Sequence, residues 1–163
     1  MSTRAIRWLS AAKIPFEIIR YDHRRKGAEY AALATGFPLE RTVKTLVLAA
    51  GPGRYLLALL PGDRQADLRR LAALFDVKRV EMADSAAAER LSGYRVGGIS
   101  PFGFKQKLPV VMDSSLLIHE SILVNAGCRG TMLRMDPRVL QEALGCRADA
   151  VGEPAPPTAF QES

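Results

Sequence analysis

Apolar residues recur along the chain with two different spacings, which predict helices and strands. From Ala5 to Ala12 they return every three or four positions, as on one face of a helix, and Pro15 ends the run. Another helix is expected to open at Asp136-Pro137 and end at Gly145, because these residues suit an N-cap, a first turn and a C-terminal stop. The predicted helices are Thr3–Ile14, Gly27–Thr35, Asp67–Phe75, Ala83–Leu91 and this final one.

Apolar runs bounded by turn residues predict the strands. The clearest hairpin has Gly51–Arg54 as its turn. A loop over Asn125–Gly130 is expected to join the last two strands. The predicted strands are Phe16–Tyr21, Lys44–Ala50, Tyr55–Leu60, Leu108–Met112, Leu117–Val124 and Thr131–Met135.

Hairpins with helices between them predict one α+β domain over residues 1–150. We expect a mixed, mostly antiparallel sheet, curled or barrel-like, with flanking helices. Residues 151–163 contain three prolines and little apolar pattern, so they are predicted to form a flexible tail.

Composition narrows the class of protein. The chain has 163 residues, 48% of them hydrophobic, and contains no apolar run of the length that spans a bilayer. It lacks signal-peptide features at its start, so a cytoplasmic location and no membrane partner are expected. The net charge of +6 suits a polyanionic partner, although many basic proteins of this size bind no nucleic acid.

Familiar catalytic motifs are missing. The sequence contains no G-x-S-x-G, P-loop or H-E-x-x-H pattern. His23 and His119 are the only histidines, and Cys128 and Cys146 the only cysteines, with no metal-ligand spacing among them. We therefore expect no metal or other cofactor. His119 falls in a predicted apolar strand, where a partly buried sheet histidine is the favoured interpretation.

Two segments offer positive signals. Lys44 lies at the start of an apolar strand, where it either solvates the strand end or presents a cation to a phosphate or oxyanion. The glycines and proline of 97–103 either form a structural turn or hold free backbone amides against a ligand. In a second loop, Arg129 is a candidate phosphate contact, whereas Cys128 is interpreted as a passive thiol.

Three motifs together carry a family resemblance: Val43–Leu46, Val80–Asp84 and Gly93–Gly103. With Arg129-Gly130, they resemble the YbaK/ProX-type aminoacyl-tRNA deacylases and the editing insertion of bacterial prolyl-tRNA synthetases. The resemblance runs from about Ile6 to Leu144. The form of the glycine-rich motif is most similar to the branch that removes cysteine from proline tRNA.

The resemblance implies the family fold and hydrolysis of the ester between an amino acid and the terminal adenosine of tRNA. Amides of residues 97–103, the glycine-rich loop, would stabilise the oxyanion. Water or a group of the substrate would attack the ester carbonyl. Mischarged tRNA, expected to be tRNA(Pro), is the implied partner, and prolyl-tRNA synthetase is a candidate partner. The implied catalytic residues are Lys44, Gly98 and Ser100, and the substrate-binding residues are Tyr21, Gly97, Ile99, Pro101, Gly103, Arg129 and Asp136.

Two other function classes remain open from the sequence. The first is a non-catalytic tRNA- or nucleotide-binding module, or a synthetase-associated adaptor, on the same fold. Retention of Lys44 and of the whole loop 97–103 argues against it. The second is a general RNA-binding protein, which would call for stacking aromatics, and only 7% of the residues are aromatic. The oligomeric state is left open by the sequence.

Overall fold

The structure is a computed structural model that describes residues 2–22 and 28–156. The described helices are α1 (Arg4–Ala11), α2 (Ala28–Thr35), α3 (Leu68–Leu74), α4 (Ser85–Ser92) and α5 (Pro137–Leu144). The described strands are β1 (Glu17–Arg20), β2 (Val43–Ala49), β3 (Tyr55–Pro61), β4 (Arg64–Ala66), β5 (Glu81–Met82), β6 (Val110–Asp113), β7 (Ile122–Cys128), β8 (Thr131–Met135), β9 (Arg147–Asp149) and β10 (Gly152–Pro154). Single 3-10 turns cover Leu39–Arg41 and Ser114–Ile118.

The helix boundaries follow the capping signals in the sequence. The side chains of Thr3, Asp67, Asp84 and Asp136 each accept a hydrogen bond from an amide in the first turn of α1, α3, α4 and α5, respectively. Helix α5 begins at Pro137 and stops at a left-handed Gly145, as predicted. The predicted start of α2 at Gly27, like His23, lies outside the described residues.

The described strands form three sheets. The largest has the order β5-β2-β3-β6-β9, with β2 and β3 antiparallel and β6 parallel to both β3 and β9. Strand β8 lies antiparallel between β1 and β7, and β10 pairs with β4. The α+β class and the mixed, mostly antiparallel pairing are thus confirmed.

A closed barrel does not form among these strands. Closure would need a continuous ladder of hydrogen bonds around the molecule. The five-stranded and three-stranded sheets are instead joined by an isolated parallel bridge between Thr42 and Leu123. The barrel-like part of the expectation is therefore corrected to separate sheets that share a core.

Strand β3 lies at the centre of the core because both of its faces are buried. Leu57 and Leu59 pack into a cluster with α1, α5 and the glycine-rich loop, whereas Leu56 and Leu60 pack against α3 on the other face. Antiparallel pairing with β3 then fixes β2, so that Lys44 lies opposite Leu60. The candidate site is built at this end of β2.

The predicted strand Leu117–Val124 is wrong in its first part. Residues Ser114–Ile118 form a 3-10 turn, and the strand begins only at Ile122. Ser115 donates its hydroxyl proton to the Asp113 carboxylate, a local bond that competes with strand pairing. His119 ends this turn and is not a sheet residue. Strand β7 also continues through the predicted loop to Cys128, with an irregular register after Asn125.

The predicted tail contains structure in its described part, which ends at Pro156. Val151 is fully buried, and β10 pairs with β4. The Asp113 carboxylate accepts hydrogen bonds from the amides of Val151 (3.0 Å) and Gly152 (2.9 Å). The folded chain therefore extends past the predicted boundary at residue 150. Within the described ranges, no helix has the length and apolar character needed to cross a membrane.

Asp113→Ala is expected to release the C-terminal strand. The substitution leaves two backbone amides without their charged acceptor, so we expect a loss of about 2–4 kcal/mol in the free energy of unfolding. Denaturant titration measures that loss, and hydrogen exchange should show faster exchange at the amides of Val151 and Gly152. Asp149→Ala, which removes an exposed ion pair with Arg70, is the control and should cost much less. Equal losses in the two variants would contradict this role for Asp113.

Candidate active site

A small cavity of about 250 Å³ opens between the end of β1, helix α2, strand β2 and the glycine-rich loop. Its walls are mostly apolar, and its polar side chains come from three separate segments of the chain. The lining residues are Tyr21, Ala28, Ala31, Val43, Lys44, Thr45, Leu46, Val96, Gly97, Ile99, Asn125 and Met132. Four of the predicted site residues, Tyr21, Lys44, Gly97 and Ile99, are thereby brought together.

Lys44 places the principal cation in this cavity. Its side chain is partly buried, and burial lowers the pKa of its ammonium, against the opposing effect of the carboxylates of Glu29 and Asp63. A cation that has lost part of its water shell interacts strongly with an anion that enters the same cavity. The position of Lys44 therefore suits a contact with a phosphate or with a developing oxyanion.

Tyr21 contributes the second titratable group of the cavity wall. Burial raises the pKa of its phenol, while a backbone hydrogen bond from Gly130 and the guanidinium of Arg129 act in the opposite direction. Arg129 is exposed in the turn between β7 and β8, so this predicted residue lies near Tyr21 without lining the cavity. The ring of Tyr21 also meets that of Tyr30 at 6.3 Å between centroids.

Thr45 presents an unsatisfied group beside Lys44. Among the described residues, its Oγ1 is the one buried side-chain oxygen or nitrogen that has no hydrogen-bond partner. A buried polar atom without a partner is costly and calls for an explanation. Thr45 lines the cavity but its Oγ1 is covered from solvent, so a polar atom of the substrate would reach it only after a small movement of the wall. In the sequence, Thr45 stands out only as part of the motif Val43–Leu46.

The glycine-rich loop reaches the cavity through Gly97 and Ile99. Gly97 has a φ of +95°, which favours glycine. Gly98 is pressed against the next turn, because a Cβ placed on it would lie 3.0 Å from the Cα of Cys128. The Gly98 amide donates to the carbonyl of Arg95 at 2.9 Å, so it is already used within the loop. Gly97 and Ile99 are therefore the residues of the loop 97–103 that line the cavity.

The structure does not bring every predicted residue to the cavity. Ser100 is fully buried, and its Oγ accepts a hydrogen bond from the amide of Phe102 at 3.3 Å, which shapes the loop. Pro101 and Gly103 line a separate groove. Asp136 caps α5, where its carboxylate accepts from the amide of Arg138 at 2.8 Å. None of these four residues lines the cavity, so the geometry does not support the functional roles predicted for them.

Two residues that position the loop were missed in the sequence. The Tyr94 hydroxyl donates to the carbonyl of Phe102 at 2.5 Å, and burial raises the pKa of Tyr94 to about 12. Asn125 donates from Nδ2 to the carbonyl of Gly97 at 3.4 Å and accepts from the amide of Gly127 at 2.8 Å. The one sequence signal for this packing was the small residues after Asn125. A side chain on Gly127 would collide with the ring of Tyr94.

The donor set of the cavity offers no place for a metal ion. Across residues 2–22 and 28–156, no group of three histidine, cysteine or acidic side chains could hold one. Cys128 and Cys146 are both free thiols. The chemistry available in the cavity is thus a positioned ammonium, a phenol, a hydroxyl and the backbone of the loop.

A family model described as the aminoacyl-tRNA editing domain matches residues 23–148 of the chain. The chain belongs to this family. The editing domain is 31% identical to "Putative Cys-tRNA(Pro)/Cys-tRNA(Cys) deacylase EbsC" of Enterococcus faecalis over 142 residues, which cover 85% of each protein. It is 33% identical to "Multifunctional Ser/Thr-tRNA deacylase ProXp-y" of Escherichia coli over 128 residues, which cover 76% of each.

A solved structure shares the fold of this editing domain. It is described as the "Crystal structure of a putative trans-editing enzyme for prolyl tRNA synthetase", with a TM-score of 0.82 and 24% sequence identity. The match covers 94% of this chain and 99% of the other. The family resemblance found in the sequence is confirmed by the family model and the two relatives.

Tyr94→Phe is expected to loosen the loop without changing its composition. Loss of the hydroxyl leaves the buried Phe102 carbonyl without a donor, so we expect a cost of about 1–3 kcal/mol in stability. The displaced loop should lower kcat for deacylation by about tenfold or more while KM changes little. Tyrosinate absorbance should also show the transition at about pH 12 in the parent and not in the variant.

Tyr55→Phe is the matched control, because the Tyr55 hydroxyl makes no hydrogen bond within the described chain. It should leave both stability and kcat close to those of the parent protein. Retention of full kcat by Tyr94→Phe would contradict a positioning role for Tyr94.

Proposed function

We propose that this editing domain is a trans-editing deacylase that acts in the cytoplasm on mischarged tRNA(Pro), with Cys-tRNA(Pro) as its preferred substrate. The observation that carries the proposal is the meeting of Lys44 and the backbone of Gly97 in one small cavity of a chain from this family. The names of the relatives support an aminoacyl-tRNA substrate. Prolyl-tRNA synthetase is the proposed partner that supplies such tRNA.

Lys44 is assigned the task of holding negative charge. The terminal adenosine brings a phosphate to the cavity, and the ester carbonyl develops an oxyanion when it is attacked. A half-buried ammonium stabilises either charge better than an exposed one, because less water competes with it. Another cation at position 44, such as arginine, would not replace Lys44 if its compact ammonium also fits a fixed point on the substrate.

The loop backbone is assigned to the ester carbonyl. Within the described chain, the amides of Gly97 and Ile99 donate to no protein acceptor, whereas the amide of Gly98 is engaged with Arg95. Two unused amides at a cavity wall are the type of donor that stabilises a tetrahedral oxyanion. The oxyanion role, which the family resemblance gives to the amides of the whole loop 97–103, is therefore assigned to Gly97 and Ile99 and not to Gly98.

The attacking group is assigned to water or to the substrate. The described residues that line the cavity include no histidine, cysteine or carboxylate that could act as a general base. Water adds to the carbonyl carbon, and the bond between that carbon and the ribose oxygen then breaks. One proton of the water moves to the ribose oxygen, so that free amino acid and tRNA with an intact terminal ribose are released.

Cavity size favours a small amino acid. Its volume of about 250 Å³ is below the ~300–1,000 Å³ of sites that take drug-sized ligands. An apolar wall separates substrates that differ by one methylene by only ~1–3 kcal/mol of binding energy in the transition state. The hydroxyl of Thr45 adds selectivity for a polar side chain. A thiol or hydroxyl at the end of the substrate side chain would give it the hydrogen-bond partner that it lacks.

The activity is tested by release of amino acid from tRNA(Pro) charged with cysteine, serine, alanine or proline. We expect release of cysteine to be fastest and release of proline to be slowest. Lys44→Ala should lower kcat/KM by about 10²–10³ with the fold intact by circular dichroism. Lys78→Ala, an exposed lysine away from the cavity, is the control. Absence of release from every substrate, with tRNA binding retained, would instead identify a binding module.

Thr45→Val tests separately whether the Thr45 hydroxyl recognises a polar side chain of the substrate. The substitution keeps the shape and removes the unpartnered hydroxyl, so stability should stay the same or rise. We expect the preference for Cys- over Ala-tRNA(Pro) to fall by about tenfold.

Thr42→Val is the matched control three residues earlier. The hydroxyl of Thr42 is buried and donates to the carbonyl of Pro38 at 3.0 Å, so its loss should cost about 1–2 kcal/mol. The amino-acid preference of this control should not change. An unchanged preference in Thr45→Val as well would remove Thr45 from substrate recognition.

A further inference from the structure

We propose that a second, cationic groove beside the glycine-rich loop binds the phosphodiester backbone of the tRNA whose aminoacylated end occupies the cavity. The inference rests on the proposed function, since it assigns the body of the same substrate to a separate surface. The groove has a volume of about 600 Å³ and is bordered by α1, α5 and residues 101–108.

The same loop borders both sites. Gly97 and Ile99 line the cavity, and Pro101 and Gly103 line the groove. From Gly97 to Lys105 the chain advances eight residues, which span at most about 28 Å when fully extended. A helical nucleic acid strand rises ~3.4 Å per nucleotide, so an anion in the groove can belong to the same strand within about eight nucleotides.

Three exposed cations line the groove, and its lining contains no carboxylate. They are Arg4, Lys105 and Lys107, and none of them forms an ion pair with another described residue. Cations without acidic neighbours produce a local positive field that favours a polyanion. Phosphodiesters are the anions that the proposed substrate carries at every nucleotide.

Two of these cations belong to side chains that flank Gly93. A Cβ placed on Gly93 would lie 2.7 Å from Nη1 of Arg4 and 3.4 Å from Cβ of Lys105. The amides of Lys105 and Gln106 donate to carbonyls at the end of α4, which fixes this part of the loop. Like charges that line one groove repel each other, and an anion bound in the groove reduces that repulsion.

The groove also offers an aromatic surface. Trp8 lines it and is 38% exposed, while its ring stacks on Phe102 with the centroids 5.6 Å apart. Aromatic side chains beside a cationic track are the usual means of holding a nucleotide base or ribose without sequence preference. The charge and the ring together favour nucleic acid over a small inorganic anion.

The test compares two double charge reversals that change the net charge equally. Lys105→Glu with Lys107→Glu alters the groove, and Arg69→Glu with Lys78→Glu alters exposed positions outside it. Binding of unacylated tRNA(Pro) transcript is followed by fluorescence anisotropy at 0.1 M salt and across a salt series. We expect the groove variant to bind about tenfold more weakly than the control variant, with a salt slope smaller by about 1.5–2.

Hydrolysis adds a second measurement. Cysteinyl ester on a short 3′-terminal fragment, which does not reach the groove, should be cleaved equally by the groove variant and the parent protein. Cys-tRNA(Pro) should show a raised KM with the groove variant only. If the parent protein cleaves nothing, the binding result still stands, so failure of the proposed function is distinguishable.

Three outcomes would overturn the inference. The first is equal weakening of tRNA binding by the two double variants. The second is equal loss of cleavage on the fragment and on whole tRNA. The third is displacement of the tRNA by inorganic phosphate at constant ionic strength, which would indicate a site for a small anion.

Discussion

The candidate site depends on the close approach of two backbones, the glycine-rich loop and the end of β7. Gly98 lies against the backbone at Cys128, and Gly127 lies under the ring of Tyr94. A side chain at either glycine would push the segments apart, because protein interiors leave no spare space. Hydrogen bonds from Tyr94 and Asn125 then hold the loop in that place. The cavity wall is thus set by contacts on the side away from the substrate.

This arrangement suits a reaction that needs accurate holding more than strong acid–base groups. Selection between similar small amino acids at a synthetase is limited to ~1–3 kcal/mol per methylene, so a second hydrolytic site improves accuracy. An activated ester requires little beyond a stabilised oxyanion and a nucleophile. In the described chain, burial lowers the pKa of the Lys44 ammonium, while the carboxylates of Glu29 and Asp63 act in the opposite direction and favour the charged form.

Sequence reasoning succeeded where one residue type has one physical use. Capping residues placed the helices, and the hairpin turn at Gly51–Arg54 placed β2 and β3. Strands of two or three residues, such as β5, β9 and β10, were missed because such lengths show no periodicity. The motif around Lys44 found the cavity. The sequence could not show which loop residues face the cavity. Gly97 lines it and Ser100 is buried away from it, because the folded backbone turns them in different directions.

Sheet order has a consequence for how the protein is made. Strand β1 near the N-terminus pairs with β8, and β9 completes the edge of the largest sheet. Neither pairing can form until β8 and β9 have left the ribosome, and these strands begin at Thr131 and Arg147. Until then the nascent protein exposes the strand edges of β1 and β6, and contact with other chains is a hazard. Long-range pairing of this kind also makes folding slow relative to helical proteins of the same size.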